Sequence, residues 1–160
     1  MSAEDPTSPA DLDAVLGSGA QAELPGVRLW YTDTGGDGVP LVLLHANTGT
    51  VAAWQFQVRA FAAAGYRVIA FDRRGWGRSR ADPATGPQPG SVAEDLHALV
   101  AHLQLPPFHL LGIAGGGFVA LDYAAWQPGQ LRSLLVCASN GQFQEPEMAA
   151  FSQRIDAPGM

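Results

Sequence analysis

The 160-residue sequence predicts an α/β fold, a three-layer α/β/α sandwich in which helices cover both faces of a mostly parallel β-sheet. Two observations indicate this class. Short apolar runs alternate with segments of helical periodicity, and the runs are apolar throughout, as is typical of strands buried on both faces. Three of these runs also end in polar or glycine-rich loops, and ligands of such sheets bind at the carboxyl ends of the strands.

Five segments are predicted to be strands. The first ends in a glycine-rich turn, and the other four are short apolar runs bounded by polar or turn-forming residues. These strands are expected at residues 27–32, 41–44, 66–72, 108–113 and 131–139.

Three helices are predicted between the strands. One face of the first helix carries Trp54, Val58 and Phe61, at helical spacing. The second begins with a capping box, in which Ser91 and Glu94 bond each other's backbone N–H groups. The helices are expected at about residues 54–64, 92–103 and 118–126.

The chain divides into three parts. Residues 1–20 are rich in Pro, Ser, Asp and Gly and are predicted to be a flexible N-terminal tail. Residues 21–140 contain the alternating strands and helices and form the core. Residues 141–160 contain one amphipathic stretch, which we interpret as the start of a lid segment.

Composition limits the partners and the compartment. A net charge of -6 argues against nucleic acid or an anionic membrane as a partner. Cys137 is the only cysteine, so no intrachain disulfide can form, and its apolar strand predicts a buried, inert thiol. The sequence has no basic N-terminal leader and no apolar run near the ~18 residues of a membrane span. We therefore expect a cytoplasmic protein that binds a small molecule, with no cofactor and no metal.

The turn at residues 112–117, "GIAGGG", has two interpretations. It fits G-x-G-x-x-G with alanine in the second place, which would cradle a phosphate at a helix N-terminus. However, the acid expected about twenty positions later is missing. It also fits the nucleophile elbow G-x-S-x-G, a strained strand–turn–helix corner, with Gly112 and Gly116 in the outer places. The central place then falls on Ala114.

Two further loops favour the second interpretation. Residues 45–49 read "HANTG" and residues 72–79 read "DRRGWGRS". Together with the glycine turn, they resemble the α/β-hydrolase superfamily, in which one strand commonly ends in His-Gly and a later one in Asp-x-Arg-Gly-x-Gly-x-Ser. The second pattern matches fully, and the first has alanine for the usual glycine. The resemblance covers roughly residues 27–139.

The resemblance implies roles for several residues. The backbone N–H groups of Gly115 and Asn47 would form the oxyanion hole, and His45 would orient its loop by hydrogen bonding. Ala114 occupies the nucleophile position. Structural roles are expected for Asp72, Arg74 and Ser79, and a solvated loop face for the arginines Arg73, Arg74, Arg78 and Arg80.

The sequence departs from the family pattern in two ways. Alanine has no lone pair with which to attack a substrate. The family's acid and histidine follow the nucleophile in chain order, but no histidine follows Ala114 here. We therefore expect a truncated hydrolase fold without its C-terminal strands. Its edge strand, 131–139, should be covered by a second chain, a second copy or a missing C-terminal half.

The expected function follows from these points. The resemblance implies a hydrolase of a small, mostly apolar ester, lactone, epoxide or related carbonyl compound, inactive or nearly so in this form. The alternatives are a non-catalytic, ligand-binding pseudo-hydrolase and a dinucleotide-binding protein. Ala114 could be an engineered serine replacement or a natural difference, and Ile113 and Ala46 favour a natural difference because both positions depart from the family's usual residues.

Overall fold

The computed structural model describes residues 16, 18–86 and 88–139. The predicted lid segment, 141–160, and most of the predicted tail lie outside these residues. The strands are β1 (Ser18–Leu24), β2 (Val27–Asp33), β3 (Pro40–Leu44), β4 (Arg67–Phe71), β5 (Arg80–Ala81), β6 (Phe108–Ile113) and β7 (Leu131–Cys137). The helices are α1 (Gln55–Ala63), α2 (Val92–His102) and α3 (Gly115–Trp126), with short 3-10 turns at Val51–Trp54 and Pro128–Gln130.

The described strands form one mixed sheet. Its order is β1-β2-β4-β3-β6-β7, and the short strand β5 pairs with β2 outside this order. The last four strands in this order are parallel, as predicted, whereas β1, β2 and β5 pair antiparallel. After β3, the chain first forms β4 on one side of β3 and later forms β6 on the other side of β3. In an α/β sheet, such a reversal opens a crevice at the carboxyl ends of the strands.

Two apolar clusters fill the space between the sheet and the helices. On one face, Leu43 of β3 and Val68 of β4 pack with Trp54 and Val58 of the first helical segment. On the other face, alternate residues of the same strands pack against α2 and α3. All five residues of β3 are buried, because this central strand is covered on both faces. The three predicted layers are therefore present.

The N-terminal boundary was predicted wrongly. The tail was expected to reach residue 20, but β1 begins at Ser18 and forms a hairpin with β2. Along β1, side chains alternate between exposed and buried positions, with Ala22 and Leu24 facing the core. Glycine and alanine conceal this period-2 pattern in the sequence, since neither has a large apolar side chain. Gly19 is needed here because the Trp30 ring occupies the space of a Cβ.

Helix boundaries follow local chemistry. The predicted capping box is present, since Ser91 accepts from the Glu94 N–H and the Glu94 carboxylate accepts from the Ser91 N–H. The third helix begins at Gly115, three residues before the predicted start at 118. The sequence pattern places these three glycines in the turn, whereas in the structure they form the first turn of the helix. Close packing requires them at this helix start, as the site geometry shows.

The strand β7 is the last strand of the sheet within the described residues. Its side chains are half-buried or exposed, and Leu135 is 46% exposed. The prediction of a buried Cys137 was wrong, because the thiol is exposed near the end of this edge strand. Within the described part of the chain, no helix has the length and apolarity that crossing a membrane requires.

Candidate active site

Loops from the three central strands meet at the carboxyl end of the sheet. The loop at residues 45–49 follows β3, the loop at residues 72–79 follows β4, and Ala114 follows β6. The carbonyl of Leu44, at the end of β3, lies where a Cβ on Gly116 would lie. The first loop and the glycine turn are therefore in direct contact, as parallel neighbouring strands dictate.

Ala114 has the backbone of a strained corner. Its φ of 49° and ψ of -117° are rare for a residue with a side chain. Such a conformation costs about 1–3 kcal/mol and persists only where its surroundings impose it. The Ala114 N–H donates to the Cys137 carbonyl (3.0 Å), and the Ala114 carbonyl accepts from the Gly117 N–H (2.9 Å). Strand β6 thus runs directly into α3 through a single residue, whose side chain is a methyl group.

The outer glycines of the turn are required by packing. A Cβ on Gly112 would overlap the Gly116 carbonyl, and a Cβ on Gly116 would overlap the Leu44 carbonyl. Both obstacles are backbone atoms that cannot rotate away. The glycine pattern is therefore explained by the closeness of α3 to β3 and β6.

Gly115 and Asn47, the two residues expected to supply oxyanion donors, lie side by side. Gly115 is the first residue of α3, where the backbone N–H has no acceptor within the helix and the helix dipole is positive. The carboxamide of Asn47 occupies the space in which a Gly115 Cβ would lie. The sequence prediction therefore named two residues that the fold brings together next to Ala114.

His45 joins the first loop to the second. The side chain is 1% exposed. Its Nδ1 lies 2.7 Å from the Ala46 carbonyl oxygen, and its Nε2 accepts a hydrogen bond from the Arg73 backbone N–H at 3.0 Å. A neutral imidazole with its proton on Nδ1 satisfies both partners. Burial, assisted by the charge of Arg73, lowers the pKa of His45 below its ordinary value, against the Ala46 carbonyl and Asp72, which raise it.

Asp72 and Ser79 organise the second loop. The Asp72 carboxylate accepts from the Val51 N–H and from the Arg78 N–H, each at 2.8 Å. It also lies against Gly77, whose φ of 51° suits glycine. The Ser79 hydroxyl donates to the Asp72 carbonyl (2.5 Å) and accepts from the Trp30 N–H (2.9 Å). Both side chains are buried and committed to the loop itself.

Arg74 ties the same loop to α2. Its guanidinium makes two hydrogen bonds to the Asp95 carboxylate, at 2.7 and 2.9 Å. Asp95 is buried, and this hydrogen-bonded contact raises the pKa of Arg74. The pair is a side-on arginine–carboxylate contact, which fixes the relative orientation of the two groups and pairs their charges.

Arg73 does not lie on the solvated loop face where it was expected. It is 4% exposed. Its Nη2 donates to Asn47 Oδ1 at 2.8 Å, and its guanidinium lies 4.7 Å from the centre of the Trp76 ring. Trp76 in turn donates from Nε1 to the Asn47 carbonyl at 2.6 Å. Nothing in the sequence distinguished Arg73 from its neighbouring arginines, because the direction of its side chain depends on how the two loops meet.

Comparison with known proteins agrees with this geometry. The α/β hydrolase fold family matches residues 39–157, which is most of the chain. The chain belongs to the α/β hydrolase fold family. We refer to the turn at residues 112–117 as the elbow, and alanine stands at its centre.

Individual α/β hydrolase relatives differ in their named activities. A non-heme chloroperoxidase of Streptomyces lividans is 40% identical over 116 residues, 71% of this chain and 42% of that protein. A 2-hydroxy-6-oxononadienedioate/2-hydroxy-6-oxononatrienedioate hydrolase of Paraburkholderia phymatum is 35% identical over 113 residues, 69% of this chain and 39% of that protein. A structure from work on carboxylesterases of Nitrososphaera gargenis superposes with a TM-score of 0.69 at 26% identity, covering 86% of this chain and 52% of the other. The chain thus spans about half or less of these proteins.

Other candidate groups lie apart from the elbow. His97 faces Tyr123 and Trp126 between α2 and α3, and His109 Nδ1 lies 2.7 Å from Ser133 Oγ. The described residues contain no group of three His, Cys, Asp or Glu side chains that could hold a metal ion. A cavity of about 240 Å³ lies beneath the second loop, lined in part by Trp30 and Asp72, and Ala114 does not contribute to it.

Proposed function

We propose that this chain forms the oxyanion-hole half of an α/β hydrolase active site for a small, mostly apolar ester, lactone, epoxide or related carbonyl compound. We further propose that the chain with Ala114 turns such compounds over very slowly or not at all. One observation supports both statements. The elbow keeps its strained backbone and its neighbouring backbone donors, while the side chain at its centre is a methyl group.

Chemistry explains why this arrangement would bind without reacting. Backbone N–H groups at a helix N-terminus stabilise a developing oxyanion whatever side chain stands beside them, and one such donor contributes about 3–4 kcal/mol to a transition state. A methyl group cannot attack a carbonyl carbon. The family's acid and histidine follow the nucleophile, and the four histidines of this chain all precede Ala114.

Restoring the serine tests the proposal. The chain and its Ala114→Ser variant are incubated with p-nitrophenyl acetate and p-nitrophenyl butyrate, and both nitrophenolate release and the mass of the protein are followed. The expected result is slow, stoichiometric acylation of the Ala114→Ser variant, since the hole is present but the general base is not. Ala125→Ser, the same replacement at an exposed site of α3, should remain unmodified. No acylation of the Ala114→Ser variant would contradict the proposed hydrolase site.

A non-catalytic binding protein is the second candidate, and an alanine at the centre of a turn that keeps its strained backbone is what favours it. Ligand binding by the Ala114 chain, with no acylation in the Ala114→Ser variant, would support this candidate. The dinucleotide interpretation has less support, because packing accounts for its two glycines without a phosphate: Gly112 lies against the Gly116 carbonyl and Gly117 against the Ser139 side chain. A rise in melting temperature on addition of nicotinamide cofactors would support the dinucleotide interpretation.

A further inference from the structure

Arg73 is a buried cation without a carboxylate. It is 4% exposed, and no carboxylate lies within 4.0 Å of its guanidinium in the described ranges. Its Nε–H has no hydrogen-bond acceptor there. Buried charges are ordinarily paired, because burial removes the water that stabilises a charge and an opposite charge compensates for that loss. The burial lowers the pKa of Arg73, which is the signature of this uncompensated desolvation.

The buried carboxylates of this region are bonded to other groups, and neither contacts the Arg73 guanidinium. The adjacent carboxylate, Asp72, accepts a backbone N–H on each oxygen. Asp95 is paired with Arg74. His45 lies against the Arg73 backbone and is neutral with both ring nitrogens satisfied. Within the described residues, the Arg73 guanidinium is therefore a buried positive charge with no carboxylate in contact.

This charge lies beside the candidate oxyanion hole. Arg73 Nη2 bonds the Asn47 carboxamide, and that carboxamide lies against Gly115. Asn47 and the Trp76 ring hold the guanidinium, and His45 holds the Arg73 backbone N–H. A fixed guanidinium is well suited to a carboxylate, because its planar donors match two carboxylate oxygens.

We propose that Arg73 is a specificity-determining residue that binds a carboxylate carried by the substrate. The substrate is then a mostly apolar ester or lactone with one carboxylate a few bonds from the reacting carbonyl. This inference rests on the proposed function, because it places the reacting carbonyl at Gly115 and Asn47. One relative is named as a hydrolase of a dioate, which is a compound with two carboxylates.

A pair of ligands that differ by one charge tests the proposal. The unaltered chain, which on the proposed function turns esters over very slowly or not at all, is titrated with the monomethyl and dimethyl esters of succinic, glutaric and adipic acids. Binding is followed by NMR through the Arg73 Nε–H and Gly115 N–H signals. We expect at least one monoester to bind roughly tenfold more tightly than its diester and to shift both signals. Equal affinities for every pair would overturn the proposal.

Two arginine variants separate a specific contact from general charge. Arg73→Gln should remove the preference for the monoester, and Arg73→Lys should restore only part of it, because lysine lacks the planar fork. Arg80→Gln loses the same charge one residue beyond the loop of Arg73, at the start of β5, but Arg80 is exposed and donates to the Gly77 and Ser79 carbonyls. A preference that Arg80→Gln also removes would overturn the proposal. If Arg73→Gln does not fold, the ligand pairs on the unaltered chain decide the question.

Carboxylates of the chain itself are a second source of the same chemistry. The variant with Glu145→Gln, Glu147→Gln and Asp156→Asn removes those that follow residue 140. Unchanged monoester affinity supports a substrate carboxylate. Monoester binding that emerges only in this triple variant shows that the protein fills the site itself, which overturns the proposal.

Failure of this inference and failure of the proposed function give different results. Acylation of the Ala114→Ser variant without any monoester preference would support the hydrolase site and contradict the proposed role of Arg73. Monoester binding that depends on Arg73, without acylation, keeps the carboxylate site and removes the hydrolase proposal.

Discussion

At the scale of single residues, the elbow should impose its electrostatics on any side chain placed at its centre. A thiol at the N-terminus of a helix has a lowered pKa, because the helix dipole stabilises the thiolate. Ala114→Cys, made with Cys137→Ser to remove the native thiol, should therefore titrate below about 8.5. Its reaction with iodoacetamide across pH 5–10 measures this value. Ala125→Cys, near the other end of α3, is the control, and equal reactivity of the two thiols would exclude the predicted field.

A second residue-scale prediction concerns the glycines of the turn. Gly116→Ala should destabilise the protein by about 1–3 kcal/mol, because the added methyl meets the Leu44 carbonyl and neither backbone can yield cheaply. Urea unfolding gives the change in free energy. Gly129→Ala introduces the same methyl where nothing lies within 4 Å, and it should change stability by no more than about 0.5 kcal/mol. Similar losses in both variants would contradict the packing argument.

His45 should make stability depend on pH. Its pKa in the folded protein lies below the ordinary value of 6.5, so the unfolded chain binds the extra proton more readily. Stability is then greatest above pH 6.5 and falls as the pH drops below it. Urea unfolding between pH 7.5 and 5.5 should show this loss, and His45→Gln should show a smaller one. The exposed His102 provides the control, since His102→Gln should keep the wild-type profile.

At the scale of elements, β7 should recruit another polypeptide. It ends the described sheet with half-exposed apolar side chains, and an open edge strand pairs readily with a further strand. We propose that a second chain, a second copy or a C-terminal half of the fold covers this edge. The chain alone should therefore self-associate at tens of micromolar in sedimentation velocity, and a lasting monomer would contradict the proposal. Leu135→Lys should weaken association, whereas Phe56→Lys, at an exposed site on α1, should not.

Most elements were predictable because their signals are local. The period of 3.6 residues, the capping box at Ser91 and the apolar runs each depend on neighbours in sequence, and all reappear in the structure. The strand β1 was missed because its inward residues are small. The two-residue strand β5 was missed because its pairing with β2 is decided by a loop that returns from far along the chain.

The site was predictable in its backbone and less so in its side chains. The apolar runs placed two loops at neighbouring strand ends, the family resemblance singled out Ala114, Gly115 and Asn47 in them, and the fold brings these residues together. The burial of Arg73 and the exposure of Cys137 were not predictable, since each depends on which segment lies across from it. Local sequence patterns indicate how buried a residue of a given type usually is, whereas tertiary contacts determine how buried it is in this fold.

At the scale of the whole molecule, the hydrogen bond from the Arg73 N–H to His45 has a consequence for how this fold evolves. With the Asn47 contacts, it joins the loops at residues 45–49 and 72–79 without involving residue 114. On the proposed function, the loops that would bind a ligand therefore keep their arrangement whatever side chain stands at position 114. An evolutionary exchange at that one position would then change the chemistry and leave the loops as they are.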